Sequence, residues 1–93
     1  MITKWIQFTV AAENSAAFAT ALRVLEKESK VEQGCAHYAV FKVKDSEGIF
    51  TVLESWETPE TFEAHRVAPH IAQFKENCAS MILEKAATSL EAI

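Results

Sequence analysis

Two neighbouring segments whose side chains alternate with a period of two constrain the fold most strongly. They are Cys35–Val43 and Ile49–Trp56, and only the polar stretch Lys44–Gly48 separates them. A link this short that contains Asp, Ser and Gly is typical of a turn between paired strands. The centre of the chain is therefore predicted to form an antiparallel β-hairpin.

The residues before this hairpin have the pattern of a strand followed by a helix. Ile2–Val10 is rich in β-branched and aromatic residues, which favours a strand. Asn14 or Ser15 is expected to cap a helix that continues to about Lys30. The apolar stripe of that helix, at positions i, i+4 and i+7, consists of Phe18, Leu22 and Leu25.

The residues after the hairpin predict two shorter helices and a last strand. Thr58 is expected to cap the first helix, with Pro59 at its first position. That helix must end before Pro69, because the residue preceding a proline is disfavoured in the helical conformation. A third helix is then expected to point Ile71, Phe74, Cys78 and Ile82 inward. The last strand is expected within Ala86–Ile93.

The order β-α-β-β-α-β is typical of the α+β, ferredoxin-like fold, an antiparallel sheet with helices on one face. The 93 residues are expected to form a single domain, 1–93. Hydrophobic residues make up 49% of the chain, more than one small core needs. We therefore expect the uncovered face of the sheet to be apolar and to bind a second copy in an obligate homodimer.

Composition excludes several partners. A net charge of −4 with dispersed Lys and Arg argues against binding to nucleic acid. No run of about 20 apolar residues and no signal-peptide pattern is present, so we expect no membrane association and a cytoplasmic location. Cys35 and Cys78 have neither disulfide-scaffold nor zinc spacing, and both are expected to be reduced core residues.

Glu54 and Trp56 share one face of the predicted third strand because side chains alternate. A carboxylate on so apolar a strand needs a partner, since burying it unpaired costs several kcal/mol or forces its protonation. It either serves in a site or accepts hydrogen bonds from a backbone amide or from Arg23 or Arg66. Trp56 either closes the core or forms a pocket wall.

His65 and His70 are five residues apart across the proline break, which differs from the i, i+4 spacing of helical metal ligands. A metal site built from them and His37 has little support, and no metal is expected. His70 falls in the first turn of a helix, where the dipole favours a neutral imidazole that can act as a base. Each histidine could equally make a helix-end hydrogen bond or be solvated. Alternation places His37 on the face of Cys35, opposite Tyr38 and outside the site.

Residues 32–75 also resemble a known family. Leu53–Glu57, Phe62–His65 and Ala68–Ile71 match a strand ending in Glu-x-Trp, a helix ending in Ala-His, and Pro-His opening the next helix. Glu32–Tyr38 is similar to the Glu-x-Gly-Cys-x-x-Tyr start of the same family's second strand. These motifs resemble the antibiotic biosynthesis monooxygenase superfamily, in particular small bacterial quinol monooxygenases and autoinducer-2 phosphate isomerases. The resemblance implies a dimeric α/β barrel.

The resemblance implies a cofactor-independent monooxygenase that acts on a quinol or polycyclic phenol with molecular oxygen. A base would remove a phenolic proton, and the phenolate would reduce oxygen directly in a dry apolar pocket between sheet and helices. No cofactor is expected. The catalytic residues implied are His65, His70 and Glu54, and the substrate-binding residues are Trp56, Tyr38 and Phe74.

Two alternatives stay open, and a third is disfavoured. An isomerase of a small phosphorylated hydroxyketone would need cations near the pocket, for which Arg66 and Lys42 are the candidates. The chain could instead be a non-catalytic dimeric binding module for an apolar metabolite. Haem degradation is disfavoured, because the helical Trp and His of haem-degrading relatives are replaced here by His65 and Lys75.

Overall fold

The computed structural model covers all 93 residues and follows the predicted order of strands and helices. Short 3₁₀ turns precede the first helix and follow the last one. The elements are β1 (Ile2–Val10), α1 (Ser15–Lys30), β2 (Cys35–Lys42), β3 (Ile49–Trp56), α2 (Pro59–Arg66), α3 (Pro69–Cys78) and β4 (Ile82–Leu90).

The four strands form one sheet in the order β2-β3-β1-β4, and every neighbouring pair is antiparallel. Val52 of β3 pairs with Ile6 of β1 on one side and with Val40 of β2 on the other. This strand order confirms the predicted ferredoxin-like α+β fold. The hairpin of β2 and β3 is also confirmed.

The helices cover one face of the sheet and bury the core against it. Phe18 of α1 is fully buried, and its ring lies 5.3 Å from Phe8, 5.1 Å from Phe50 and 5.7 Å from Phe74 between centroids. Burying each such side chain stabilises the fold by about 1.5–3 kcal/mol. The remaining buried apolar residues of this core are Val10, Leu22, Leu25, Tyr38, Val52, Trp56 and Cys78.

The opposite face of the sheet has no helix over it, and its composition differs from the prediction. Trp5 is 39% exposed, Phe41 52% and Leu90 43%. Polar residues lie among them, and the hydroxyls of Thr3 and Ser55 are hydrogen-bonded at 3.0 Å. The prediction of an apolar face is therefore only half right, because hydroxyl side chains pair with each other between the apolar ones. We call this surface the open face.

The last strand begins earlier than predicted. A 3₁₀ turn at Ala79–Met81 ends the third helix and reverses the chain, so β4 starts at Ile82 opposite Val10. Ile82 therefore belongs to the sheet and not to the helix, as its place in the helical stripe had suggested. A pattern of apolar residues cannot reveal this break, since the same residue also fits the inward face of a strand.

Two predicted helix caps have different outcomes. Thr58 caps α2 as predicted, because its Oγ1 accepts a hydrogen bond from the amide of Thr61 at 3.1 Å while Thr61 Oγ1 accepts one from the amide of Thr58 at 3.2 Å. Asn14 precedes α1, but its side chain makes no capping hydrogen bond. The 3₁₀ turn at Ala12–Asn14 leads the backbone into α1 instead.

A bulge at the beginning of β2 corrects the expected placement of its side chains. Cys35 pairs with Trp56, whereas His37 pairs with the residue before Trp56, so Ala36 is an extra residue in β2. The bulge turns Cys35 to the helix-covered face together with Tyr38. His37 lies on the open face, opposite Tyr38 as predicted but without Cys35.

Candidate active site

Glu54 and Trp56 lie side by side at the end of β3, both at most 2% exposed. The indole Nε1 of Trp56 donates a hydrogen bond to Glu54 Oε1 at 2.9 Å. The partner of this carboxylate is therefore the tryptophan and not Arg23 or Arg66. Burial raises the pKa of Glu54, and the hydrogen bond from Trp56 and the nearby His65 offset only part of that rise.

His65 lies in the last turn of α2 and is 3% exposed. Its ring stacks on the indole of Trp56 with 4.3 Å between centroids and 28° between planes. Nδ1 lies 2.6 Å from Oε2 of Glu32, and Nε2 lies 3.8 Å from Oε1 of Glu54. Both ring nitrogens of this buried histidine thus face carboxylates.

His70 lies in the first turn of α3 and contacts the same glutamate. Its Nε2 is 2.8 Å from Glu32 Oε2, and its Nδ1 is 3.8 Å from Oε2 of Glu28. An ionised carboxylate only accepts hydrogen bonds, so the nitrogens that face Glu32 carry the protons in neutral rings. The lone pairs then lie on His65 Nε2 and on His70 Nδ1.

Glu32, which joins the two histidines, was not predicted as a site residue. It lies in the turn between α1 and β2, where its carbonyl accepts the amide of Cys35 at 3.2 Å. Gly34 completes this turn with a φ of 84°, a conformation that favours glycine. The signal was present, since Glu32 opens the Glu-x-Gly-Cys motif, but the histidines are 33 and 38 residues away.

A groove of about 550 Å³ lies between α1 and α3. Its walls include Leu25, Phe74 and Cys78, and His70 and Glu28 lie along it. We call it the α1–α3 groove. No Lys or Arg lines it.

The predicted site residues do not share one cavity. Of them, only His70 and Phe74 line the α1–α3 groove, whereas His65, Glu54 and Trp56 fill the space between sheet and helices themselves. The pocket expected there is thus occupied by the side chains that were expected to line it.

Tyr38 is also buried, and it borders a separate depression of about 390 Å³ together with Cys35 and His37. Its ring contacts His65 edge-on at 5.7 Å between centroids. Burial, followed by the nearby carboxylate of Glu54, raises the pKa of Tyr38 well above its ordinary value. The tyrosine therefore stays neutral next to the histidine cluster.

Three of these residues could hold a cation. One ligand atom each from Glu32, His65 and His70 lies within 4.8 Å of the other two. His37, the third histidine considered from the sequence, lies on the open face and is not brought to them. Cys35 and Cys78 are free, and burial raises the pKa of both thiols.

The fold and this buried histidine–carboxylate cluster together define a ferredoxin-like α+β domain. Its candidate site lies where the helices meet the C-terminal end of β3. The profile of the family described as antibiotic biosynthesis monooxygenase matches residues 1–77. The chain belongs to this family.

Solved structures agree with the fold at low sequence identity. A Nitrosomonas europaea protein that carries the same family name has a TM-score of 0.94 at 19% identity, covering 100% of this chain and 99% of its own. PA3566 from Pseudomonas aeruginosa has a TM-score of 0.93 at 22% identity, covering 99% and 93%. Rv0793 from Mycobacterium tuberculosis has a TM-score of 0.90 at 18% identity, covering 99% and 92%.

None of the curated proteins matches this sequence significantly. No helix in the structure has both the length and the apolar character that crossing a membrane requires.

Proposed function

We propose that this protein is a cofactor-independent monooxygenase that oxidises a quinol or polycyclic phenol in the α1–α3 groove, with His70 as the base. One observation carries this proposal. His70 lies along an apolar groove, with one ring nitrogen held by Glu32 and the other not engaged by any hydrogen bond shorter than 3.5 Å. The volume of about 550 Å³ lies in the range of small-molecule sites.

The imidazole of His70 would accept the proton that leaves the substrate. With the proton of neutral His70 on Nε2 and directed at Glu32, the lone pair of Nδ1 accepts the phenolic proton. The imidazolium that results is stabilised by the carboxylate of Glu32 at 2.8 Å. The phenolate then transfers an electron to molecular oxygen, so the substrate is oxidised and oxygen is reduced without a cofactor.

Four buried residues hold this base and Glu32 in position. His65 donates the second hydrogen bond to Glu32 and is itself held by stacking on Trp56. Glu54 and Tyr38 surround the ring of His65. In this proposal the four are positioning residues, while Phe74 contacts the substrate from the wall of the groove.

The isomerase alternative finds less support. A phosphorylated substrate needs cations, and neither Arg66 nor Lys42 lines the groove. Arg66 pairs with Glu63 at 3.1 Å, and Lys42 Nζ donates to the carbonyl of Ser46 at 2.8 Å. The non-catalytic binding module differs from the monooxygenase only in turnover, which oxygen uptake measures.

We further propose that residues 1–93 act as one domain and that two copies pair through the open face. Trp5 and Leu53 are opposite each other in the register of β1 and β3, and the partly exposed indole supports burial by a second chain. The two free cysteines fit a cytoplasmic location, where thiols stay reduced.

Oxygen uptake tests the proposed reaction. The wild type is compared with His70→Ala and His65→Ala on naphthohydroquinones and anthrone-type phenols, after subtraction of autoxidation. Loss of the base should lower the rate about 10²–10⁴-fold in His70→Ala. His37→Ala is the matched control, since His37 is the histidine outside the cluster, and it should leave the rate unchanged.

Uptake no faster than autoxidation across the panel, with ligand binding retained, would favour the binding module. A loss in His65→Ala with full activity in His70→Ala would assign the base to His65 instead. Either result contradicts the proposal as stated.

A further inference from the structure

We propose that Glu32, His65 and His70 form a binding site for one divalent transition-metal ion of the zinc type. This inference goes beyond the proposed function, which needs no metal. Two imidazole nitrogens and one carboxylate oxygen are the donor set that zinc and its first-row neighbours prefer. Three protein ligands leave a fourth position free for water, as in open zinc sites.

The three donors converge because three element ends meet. His65 is in the last turn of α2, His70 in the first turn of α3, and Glu32 follows α1 directly. The interruption of the helix before Pro69 brings the histidines together although they are not at helical ligand spacing. In this turn the amide of Ala68 donates a hydrogen bond to the carbonyl of His65 at 3.1 Å. The i, i+4 spacing of metal ligands applies to one continuous helix and not to two helices that meet at a proline.

The carboxylates beyond the two rings carry the argument furthest. A metal on His65 Nδ1 moves the ring proton to Nε2, which faces Glu54 Oε1 at 3.8 Å. A metal on His70 Nε2 moves its proton to Nδ1, which faces Glu28 Oε2 at 3.8 Å. Metal-bound histidines almost always direct their other N–H at a carboxylate, carbonyl or water. Each histidine has a carboxylate 3.8 Å from its other ring nitrogen, and a small approach would make this hydrogen bond.

The required rearrangement is small. Tetrahedral ligands at about 2.1 Å from an ion are roughly 3.4 Å apart. Glu32 Oε2 now lies 2.6 Å and 2.8 Å from the two ring nitrogens. The carboxylate must therefore move away from the two rings by roughly 0.6–0.8 Å. Its side chain is 18% exposed and can do so by a change of rotamer.

Local charge favours a cation. None of the ion pairs of the structure joins Glu28, Glu32 or Glu54 to a lysine or arginine, since Lys30 pairs with Glu26 and Arg66 pairs with Glu63. The site thus concentrates carboxylates that form no direct ion pair with a lysine or arginine. His70, at 14% side-chain exposure, gives an ion access from solvent.

Occupancy would have a consequence for turnover. An ion bound to His70 would occupy the imidazole that acts as the base in the proposed function. Zn²⁺ should therefore inhibit oxygen uptake, and a chelator should restore it.

The test is titration of the tag-free, chelator-treated protein with Zn²⁺ by calorimetry, and with Co²⁺ by its visible absorption. One ion per chain is expected, with the intense absorption of tetrahedral Co²⁺. Glu32→Gln and His70→Ala should weaken binding by more than 100-fold, since each removes a ligand. Glu28→Gln should weaken it about 10-fold through the outer contact to His70.

Matched controls separate this site from incidental binding. His37→Ala removes the histidine of the open face, and Glu13→Gln neutralises an exposed glutamate at the other end of α1; both should bind like the wild type. Circular dichroism checks that Glu32→Gln and His70→Ala are folded, and Glu28→Gln changes only a half-exposed side chain, so it tests the site even if the ligand variants unfold.

Two results overturn the inference. They are binding weaker than millimolar and binding that the Glu28, Glu32 and His70 variants leave unchanged. Failure of the proposed function is seen separately, because binding is measured without substrate. If oxygen uptake needs added metal, the metal-free mechanism is wrong while the site stands.

Discussion

Trp56 and Glu54 are two residues apart on β3, and the indole Nε1 of one donates to the carboxylate of the other at 2.9 Å. Side chains at i and i+2 share a face of a strand, so the contact follows from alternation alone. Both residues are inaccessible to solvent, and His65 covers the indole. The pair therefore packs beneath His65 and supports the histidine cluster from the side of the sheet.

Trp56→Phe should destabilise the protein by about 1–3 kcal/mol, because it leaves the buried Glu54 acceptor without its donor. The lost volume beside His65 adds to this. Urea denaturation at neutral pH measures the change. Trp5→Phe is the matched control, since Trp5 is on the open face; an equal effect of both substitutions would show that the hydrogen bond contributes nothing.

Glu54→Gln should remove a pH dependence of stability. Burial raises the pKa of Glu54 above its ordinary value of 4.5. The folded chain therefore keeps a proton that the unfolded chain releases, so this stabilisation is present below pH 4.5 and is lost as pH rises through the folded pKa. Glutamine still accepts the hydrogen bond of Trp56 but does not ionise.

The gain of Glu54→Gln over the wild type should consequently grow as pH rises above 4.5. Denaturant midpoints measured between about pH 4 and pH 8, at intervals of about one pH unit, resolve this trend. A constant difference across this range would contradict the raised pKa.

Tyr38 is the single tyrosine of the chain, so the absorbance of tyrosinate reports on it alone. Its pKa is raised from 10.0 by burial and by Glu54. The unfolded chain therefore loses this proton first, and the associated stability is lost as pH rises above 10. Ionisation should coincide with alkaline unfolding, followed in parallel by circular dichroism.

In denaturant the tyrosine should titrate near its ordinary value of 10.0. Tyr38→Phe is the control for absorbance changes of the two tryptophans. A titration near the ordinary value with the fold intact would show that the hydroxyl is accessible.

Local patterns predicted the face of β3 well and the partners of the site poorly. Alternation placed Glu54 with Trp56, and the proline rule separated His65 from His70. Glu32 was missed because its contacts to the histidines are fixed by tertiary packing, which short-range periodicity does not report.

The location of a pocket is difficult to predict from the sequence for a related reason. The sequence indicates which residues face inward, but not whether they surround a space or fill it. Trp56 and His65 stack on each other and close that space. Of the predicted site residues, only His70 and Phe74, which lie on α3, reach the α1–α3 groove.

Gly34→Ala should destabilise the turn that holds Glu32. The backbone φ of 84° costs a residue with a side chain about 1–2 kcal/mol. A Cβ would also overlap the side chain of Thr61. We expect a total loss of roughly 1–3 kcal/mol in urea denaturation.

Thr61→Ser removes the nearest of the three Thr61 atoms that would overlap this Cβ, and it keeps the hydroxyl that caps α2. The double variant should therefore be more stable than the sum of the two single effects. A Gly34→Ala protein as stable as the wild type would show that the turn relaxes without strain.

Trp5→Lys should convert the proposed homodimer into single chains. Trp5 is opposite Leu53 on the open face, and a lysine between two such faces would bury a charge without a partner. Light scattering should give twice 10.3 kDa for the wild type and 10.3 kDa for the variant. Val67→Lys changes an equally apolar residue that is 80% exposed between α2 and α3, and it should remain dimeric. A wild type of 10.3 kDa at all concentrations would remove the dimer from the proposal. It would leave the groove and the histidine cluster unaffected, because both are built within one chain.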